Sequence, residues 1–197
     1  MKVSHFFAYL RRMKYITRWS LMRNSERENI QEHSLEVAMV AHHLGILRNV
    51  YFDGTIDVNR LAVLAMYHDA SEIFTGDMPT PVKYFTPELR ELYGRVEVMA
   101  QEKLLSTLPL ELRDAYREPL LGTDDDEYER LLKAADVLCA FMKCVAEQQA
   151  GNEEFAEAYT STKNKLESMA MPEVNLFMER YIPSLGKSLD LLHSSQS

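Results

Sequence analysis

Helical periodicity is the feature that most constrains this chain. Apolar residues recur three and four positions apart in one segment after another, and no stretch has the alternating β-branched pattern of a strand. Such spacing places apolar side chains along one face of each helix, and that face is buried most simply against other helices. The sequence therefore predicts an all-α fold, a bundle of six or more helices.

Polar capping residues mark where these helices begin. The caps are a capping box formed by Asn29 and Glu32, Asp57, and the pair Thr86 and Pro87. Further helices are predicted from about 125 to 150, after Asn152 and after Pro172. The segment 75–81 contains glycine and two prolines and is predicted to be a loop.

Composition points to one globular unit. Of the 197 residues, 46% are hydrophobic and 26% are charged, which is typical of a folded domain and not of a disordered or fibrous chain. No run approaches the roughly 18 apolar residues of a membrane span, and the amino terminus lacks a signal-peptide pattern. Cys139 and Cys144 have the spacing of neither a redox pair nor a metal knuckle. We expect a single domain over 1–197 in a cytoplasmic protein, away from membranes, with reduced core thiols.

Charge is unevenly distributed along the chain. The net charge is −8, yet seven of the 22 Lys and Arg residues and only one of the 30 acidic residues lie in the first 27 positions. The acidic remainder argues against binding of a nucleic acid polymer. We expect the basic segment to form an amino-terminal helix that is solvated, faces a dimer partner or binds a small anion. Six of its seven cations are Arg11, Arg12, Lys14, Arg18, Arg23 and Arg27.

Asp136 interrupts an apolar stripe. Its helical neighbours one turn away are Leu132, Cys139 and Ala140. Desolvating an isolated carboxylate costs several kcal/mol, so this one needs a cation, hydrogen-bond donors or a metal ion. An Arg partner and a metal ion both remain open from this residue alone.

Three other residues join Asp136 as candidate metal ligands. His33 lies in the first turn of one predicted helix, and His68 and Asp69 end the next. Each has an ordinary structural explanation by itself, such as a histidine that complements a helix dipole. Together, two imidazoles and two carboxylates suit one divalent first-row ion such as Mn, Co, Fe, Ni or Zn better than Mg.

Glu72 follows His68 by four residues. If that helix continues, the Glu72 carboxylate lies on the same face and can handle a proton on a water molecule bound to the metal. The alternative is an exposed glutamate without a chemical role.

The arrangement of His33, then His68-Asp69, then Asp136 resembles that of the HD-domain metal-dependent phosphohydrolases. Five longer segments are similar to the YfbR-like 5′-deoxynucleotidases within that superfamily, and the resemblance covers nearly the whole chain. These segments are SHFFA at 4–8, RW at 18–19, ENIQEHSL at 28–35, AMYHDASE at 65–72 and TGDMPTPVKYF at 75–85.

The resemblance implies a single HD-type domain with a metal-site core over about 28–145, on which the amino-terminal helix and the carboxy-terminal helices pack. It also implies a homodimer that hydrolyses deoxyribonucleoside 5′-monophosphates to deoxyribonucleoside and phosphate. By the same resemblance one divalent ion, for which we expect Co, Mn or a similar metal, is bound by His33, His68, Asp69 and Asp136. The residues that it implies for substrate contact are Arg18, Trp19, Asp77, Met78, Pro79 and Thr80, with Asp69 and Asp136 beside them, and it implicates Glu72 in proton transfer.

The chemistry of these side chains is consistent with that activity. Arg18 can bind phosphate oxygens in bidentate fashion, and Lys83 can add a point charge. Trp19 offers a flat face to a base or sugar, although a core position would explain it equally well. Asp77 can accept a hydrogen bond from a sugar hydroxyl. The hypothetical mechanism is attack on phosphorus by a metal-activated water, with Glu72 taking or relaying its proton and Arg18 neutralising phosphoryl charge.

Two other functions remain open from the sequence. Another HD phosphohydrolase, acting on a dNTP, a cyclic dinucleotide or a guanosine alarmone, would use the same metal ligands. A non-catalytic nucleotide-binding module would keep the fold and use the basic segment for a partner.

Overall fold

The structure, a computed structural model, describes residues 3–83 and 85–194. Tyr84, which belongs to the 75–85 segment quoted above, lies outside the described residues. Within them the chain forms helices and no β-strand, so the all-α prediction is confirmed. The α-helices are α1 Phe6–Leu10, α2 Ile30–Tyr51, α3 Val58–Tyr67, α4 Glu72–Thr75, α5 Thr80–Lys83, α6 Pro87–Ser106, α7 Arg113–Leu121, α8 Asp126–Gln149, α9 Ala156–Ser168, α10 Pro172–Arg180 and α11 Leu189–Ser194. Short 3₁₀ helices occur at Met13–Tyr15, Leu110–Leu112, Glu153–Phe155 and Ile182–Ser184.

The predicted caps start their helices as expected. The Asn29 side chain accepts the backbone N–H groups of Gln31 and Glu32, and Glu32 Oε2 accepts the N–H of Asn29, which completes the capping box of α2. Asp57 caps α3, and Thr86 caps α6 with proline in the first turn. Each such cap stabilises its helix by about 1 kcal/mol because it satisfies N–H groups that have no partner within the helix.

Two apolar clusters form the core. The larger one is built by α2, α3, α8, α9 and α10, and both cysteines lie buried as free thiols, as predicted. The smaller one joins the amino-terminal segment to α6 and α7. Both clusters draw on the start of α2, because Ile30 packs in the smaller cluster and Val37 in the larger. His33, between these two positions, therefore lies at the junction of the two cores.

The basic amino-terminal segment does not form the predicted helix. Helix α1 ends at Leu10, ahead of all six cations named above, and the chain from 16 to 28 is a loop. Long-range backbone hydrogen bonds replace helical ones there, since Arg18 N–H donates to Glu28 O and Ile30 N–H donates to Ile16 O, both at 3.0 Å. The base of this loop, which we call the 16–28 loop, is thereby closed against the start of α2.

Three other boundaries differ from the sequence-based expectation. The 75–81 segment is only partly a loop, because α5 begins at Thr80, where the N–H groups of Val82 and Lys83 donate to Pro79 O. Helix α3 ends at Tyr67 and does not continue through Glu72. Helix α7 was not predicted; Pro119 lies in its last turn, where the missing N–H removes one helical hydrogen bond and only two residues of the helix follow. In the described part of the chain, none of the helices combines the length and the hydropathy that a membrane span requires.

Candidate functional site

His33, His68 and Asp136 converge at the junction of the two cores. One ligand atom from each lies within 4.8 Å of the others. They come from α2, from the turn after α3, and from the middle of α8, so three separate helices bring them together. His33 is completely buried, and its Nε2 is 3.3 Å from Asp136 Oδ1. Residues far apart in the sequence thus form one compact polar cluster.

Asp69 lies beside the same imidazoles. Its Oδ2 is 3.1 Å from His68 Nε2 and 3.6 Å from His33 Nε2. The structure therefore brings all four sequence-predicted ligand residues into one place.

Both histidines present a ring nitrogen suited to a metal ion. His68 Nδ1 lies 2.7 Å from the Ala65 carbonyl, which can only accept, so this nitrogen carries the proton and Nε2 keeps its lone pair. His33 Nδ1 lies 3.2 Å from Glu28 Oε1, and a carboxylate at that distance stabilises a proton on Nδ1 in the same way. Neither buried Nε2 atom has a hydrogen-bond partner among the described residues. Two lone pairs and two carboxylates facing one point fit a divalent first-row ion.

The electrostatics of the cluster favour positive charge. Burial alone would raise the pKa of Asp136, but the His33 imidazole beside it and the charge of Lys133 hold it well below its ordinary value. Burial likewise opposes ionisation of Asp69, yet His68 keeps the pKa of that carboxyl below its usual range. Burial disfavours the His68 imidazolium, and the charges of Asp69 and Asp136 outweigh it and raise its pKa. Asp136 also pairs with Lys133 Nζ at 2.6 Å, and two ionised carboxylates in one partly buried cluster favour the binding of a cation.

Arg18 reaches the cluster from the 16–28 loop. Its Nη1 is 3.0 Å from Glu28 Oε1, with both side chains largely buried. Burial opposes its charge, but Glu28, Asp136, Asp69 and Asp77 together raise its pKa, so the guanidinium is firmly cationic. It places a fixed positive charge next to the metal-type ligands.

A cleft opens beside Arg18. Its wall contains all six residues expected to contact substrate, together with Ser20, Leu21, Met22 and Pro81; the six are Arg18, Trp19, Asp77, Met78, Pro79 and Thr80. Trp19 is half-buried and tilts against Phe155 with ring centroids 5.3 Å apart, so it is both a packing residue and a cleft residue. Its indole Nε1 is buried without a hydrogen-bond partner in the described structure and can donate to a ligand.

Trp19 also has a backbone conformation that bulky residues rarely adopt. Its φ is +55°, in the left-handed region, which costs about 1–3 kcal/mol for such a residue. Its carbonyl accepts hydrogen bonds from the Met22 N–H and from Asn24 Nδ2. The hydrogen bonds of the surrounding loop therefore keep Trp19 in a backbone conformation that is unfavourable for a bulky residue, and so fix the position of its indole.

The Glu72 carboxyl interacts electrostatically with both the metal-type cluster and the cleft. Burial, together with the negative charges of Asp69 and Asp77, raises the pKa of Glu72 to about 10. Its Oε2 is buried and has no hydrogen-bond partner among the described residues. It reaches this position from the first residue of α4, not from a continued α3. A carboxyl in this state holds its proton at neutral pH.

Asp77 and Lys83 differ in how far they enter the cleft. Burial raises the pKa of Asp77, while Arg18 and a backbone hydrogen bond from Trp19 oppose that shift. Asp77 lines the cleft together with Arg18 and Trp19. Lys83 Nζ instead lies 2.6 Å from Glu97 Oε1 and 5.2 Å from the centre of the Tyr93 ring. Its ammonium is directed to α6.

Sequence reasoning missed Glu28 as part of the site. Its carboxylate contacts both Arg18 and His33, and these contacts hold its pKa below the ordinary value although burial opposes ionisation. One sequence feature did point to Glu28: it immediately precedes the capping Asn29 and therefore lies at the same end of α2 as His33. An acidic residue before a helix is usually solvated, so the sequence did not distinguish it.

A family model and curated proteins match nearly the whole chain. The family model described as 5′-deoxynucleotidase YfbR-like matches residues 5–185. Proteins named 5′-deoxynucleotidase YfbR from several Escherichia coli strains are 50% identical over 192 residues, which is 96% of this chain and 96% of theirs.

Solved structures share the architecture. An HD-domain phosphohydrolase from Listeria innocua superimposes with a TM-score of 0.81 at 27% identity, covering 96% of this chain and 92% of that one. The HD phosphohydrolase of cyanophage S-2L, solved with dA and one catalytic Zn²⁺ ion, has the same fold, with a TM-score of 0.61 at 24% identity over 93% of this chain and 99% of that one. The chain belongs to the YfbR-like 5′-deoxynucleotidase family of HD-domain phosphohydrolases.

Proposed function

We propose that this protein is a metal-dependent 5′-deoxynucleotidase, which hydrolyses deoxyribonucleoside 5′-monophosphates to deoxyribonucleoside and phosphate. The observation that carries the proposal is that one guanidinium, Arg18, borders both the His33, His68 and Asp136 cluster and the cleft of Trp19. A phosphate between them would meet Arg18 on one side and the cluster on the other, while the nucleoside enters the cleft. The name of the curated relatives supports the same activity.

His33, His68, Asp69 and Asp136 would hold one divalent ion, for which we propose Co, Mn or a similar first-row metal. Such an ion supplies Lewis-acid stabilisation of phosphoryl oxygens and acidifies water. The two unpartnered Nε2 atoms and the two ionised carboxylates support this assignment.

Arg18 and the cleft residues bind and orient the substrate. The planar guanidinium can grip two phosphoryl oxygens and neutralise the charge that develops on them. Glu28 holds that guanidinium from the side of His33. Trp19, Asp77 and the 78–80 backbone would contact the sugar and base, and Asp77 can accept a hydrogen bond from a sugar hydroxyl. Crowding by this wall would disfavour a 2′-hydroxyl.

Glu72 moves the proton in this proposal. Burial and the charges of Asp69 and Asp77 raise the pKa of Glu72, and in the protonated state it would deliver that proton to the departing 5′-oxygen of the deoxynucleoside. The carboxylate left behind then takes up the proton that the attacking water loses. The Glu72 Oε2 atom is buried and has no hydrogen-bond partner among the described residues, so it is available to hold or accept a proton.

The protein would act as a homodimer with one domain per chain. Both core clusters contain residues of α2, which supports a single folding unit. A face that we call the α2–α3 apolar face supports pairing with a second copy, because its five large apolar side chains are each at least 40% exposed: Phe7, Leu35, Met39, Val63 and Met66. Phe7, Leu35 and Met66 line one shallow groove. Met39 lies one turn after Leu35 on α2, and Val63 lies one turn before Met66 on α3.

We further propose that the protein resides in the cytoplasm. Both cysteines are buried, unpaired thiols, and a reducing compartment favours that state. The acidic composition supports a small-molecule substrate and not a nucleic acid polymer.

Phosphate release from dAMP and AMP tests the proposed activity. The protein is stripped of metal with a chelator and assayed before and after Co or Mn is added back, next to Glu72→Ala. We expect release from dAMP well above AMP, only with metal, and a loss of turnover of about 100-fold or more in Glu72→Ala. No release from either nucleotide despite bound metal would overturn the proposal. Release of pyrophosphate or tripolyphosphate from a nucleoside triphosphate would instead indicate a different HD phosphohydrolase.

A further inference from the structure

Glu147 is a buried carboxylate far from the metal-type ligands. Its side chain is 1% exposed, and its two oxygens accept hydrogen bonds from both sides. From the 16–28 loop, Ser25 N–H donates to Oε2 at 2.9 Å and to Oε1 at 3.1 Å, and Glu26 N–H donates to Oε1 at 3.3 Å. From its own neighbourhood it accepts Lys143 Nζ and, at 2.7 Å, Asn152 Nδ2. The Glu147 carboxylate thus binds the N–H groups of two loop residues to the end of α8.

The residues around Glu147 hold the same stretch of loop. Lys143 Nζ also donates to the Glu26 carbonyl, and Asn152 Nδ2 donates to the Arg23 carbonyl at 2.7 Å. Glu154 Oε1 accepts the Arg23 N–H at 3.1 Å. The tip of the loop, residues 23–26, is therefore fastened through its backbone to the end of α8 and the turn after it. Backbone contacts do not depend on the identity of the loop side chains.

The base and the tip of the 16–28 loop are held by α2 and α8, the two helices that also carry His33 and Asp136. At its base, the loop is tied to the start of α2 next to His33. At its tip, it is tied to Glu147, which follows Asp136 by eleven residues on α8. Eleven residues are about three helical turns, so the two carboxylates project from nearly the same face of α8. Arg18 belongs to the base through its own N–H, and Trp19 lies between the base and the tip.

The conformation of Trp19 requires such a fastening. Its left-handed φ is unfavourable for a large side chain and persists only where the surroundings hold it. Its ring rests on Phe155, which lies in the 3₁₀ helix that follows Asn152. Loosening the loop tip would therefore release both the strained backbone of Trp19 and its stacking position.

We infer that Glu147 is a positioning residue for nucleotide binding: it acts through the 16–28 loop to place Trp19 at the cleft. It touches neither the cleft nor the metal-type cluster. The inference rests on the proposed function for what the cleft binds, but the placement of Trp19 can be measured without any turnover.

The test compares wild type with Glu147→Gln. The substitution keeps the size of the side chain but replaces one carboxylate oxygen by an NH₂ group, which cannot accept the N–H groups that point to it. Trp19 is the single tryptophan of the chain, so its fluorescence reports on the loop alone. We expect acrylamide quenching of Trp19 to increase by about twofold or more and KM for dAMP to rise by about tenfold, with kcat within about threefold. The affinity for Co should stay within about twofold, because the ligands do not move.

Glu173→Gln is the matched control. Glu173 is also a fully buried glutamate, it pairs with Arg48 on α2, and it lies outside the loop contacts. The control is expected to lose stability without changing Trp19 quenching or KM. If Glu147→Gln fails to fold, Asn152→Ala removes the bonds to Arg23 O and to Glu147, and it carries the same expectations.

Unchanged quenching and unchanged KM in a destabilised Glu147→Gln would overturn the inference, because the carboxylate would then only stabilise the fold. A parallel loss of Co affinity would overturn it as well, since the substitution would then disturb the metal ligands through α8 and not only the loop. If wild type releases no phosphate from any deoxynucleotide, the proposed function fails, and the quenching comparison still decides whether Glu147 places Trp19.

Discussion

Arg18 and His33 contact the same carboxylate oxygen. Oε1 of Glu28 lies 3.0 Å from Arg18 Nη1 and 3.2 Å from His33 Nδ1. The residue proposed to grip phosphate and a residue proposed to bind metal are thus oriented by one atom. We therefore expect Glu28 to couple the positions of Arg18 and His33.

Replacement of Glu28 by Gln is expected to weaken metal binding. The amide keeps the shape of the side chain but no longer offers a charged oxygen to both Arg18 and the His33 ring, so the imidazole loses the partner that fixes its tautomer. Partners of this kind typically change metal affinity by about 10–100-fold. Titration with Co or Mn against a competing chelator measures the change.

The control for this prediction is Glu26→Gln, because Glu26 is an exposed glutamate of the same loop. It should bind metal like wild type. Equal metal affinity in Glu28→Gln and wild type would mean that Glu28 does not orient His33.

Removal of Asp136 is expected to abolish metal binding and activity together. In Asp136→Ala the cluster loses the carboxylate that lies 3.3 Å from His33 Nε2, and the charge that attracts a cation falls. We expect metal affinity to drop by more than about 100-fold, beyond the effect of an indirect partner. Metal content after dialysis and phosphate release are the two measurements.

Asp126→Ala, at the exposed start of the same helix, serves as the comparison and should retain both properties. An Asp136→Ala protein that keeps its metal would remove Asp136 from the ligand set.

Much of the fold was predictable because its determinants are local. The capping box of Asn29 and Glu32, the Asp57 cap and the Thr86-Pro87 pair act within one helical turn, and all three start helices where expected. The convergence of His33, His68 and Asp136 was predictable for a related reason: each is a polar residue on an otherwise apolar face, so burial of the faces brings the polar residues together.

The parts that could not be predicted depend on distant backbone groups. Glu147 accepts N–H groups of Ser25 and Glu26, about 120 positions earlier, and backbone donors leave no trace in the residue types. The same contacts explain why the basic segment is a loop and not a helix: its backbone groups find partners on α8 and at the start of α2. Glu72 was predicted from a continued helix, but it reaches the site as the first residue of the separate helix α4.

Glu147 gives a specific prediction for stability against pH. Burial opposes its ionisation, but Lys143, Asn152 and Ser25 lower its pKa to about 2, below the ordinary value of 4.5. A carboxyl with a lowered folded-state pKa stabilises the protein above the unfolded-state pKa, and this contribution is lost as the pH falls toward the folded-state value. Its full contribution is on the order of 3 kcal/mol.

Urea unfolding of metal-free wild type and Glu147→Gln at several pH values measures this contribution. The difference in unfolding free energy should be largest above about pH 5 and shrink steadily as the pH is lowered from there toward 2. Glu173→Gln shows whether any buried glutamate would give the same profile. A difference that stays constant across this range would mean that the Glu147 charge is not what holds the loop.

The α2–α3 apolar face gives the prediction for assembly. If a second copy covers this face, a charge in its middle must be desolvated on pairing, and the dimer should weaken by about 100-fold or more. Leu35→Glu with Met39→Glu places two such charges one turn apart on α2, at side chains that are 54% and 59% exposed. Leu92→Glu with Met99→Glu, on exposed positions of α6, is matched in chemistry but lies outside the face. Light scattering after size exclusion should give a dimer for wild type and for the α6 variant, and a monomer for the α2 variant. A monomeric wild type would refute pairing altogether, whereas a monomeric α6 variant next to a dimeric α2 variant would move the interface to α6.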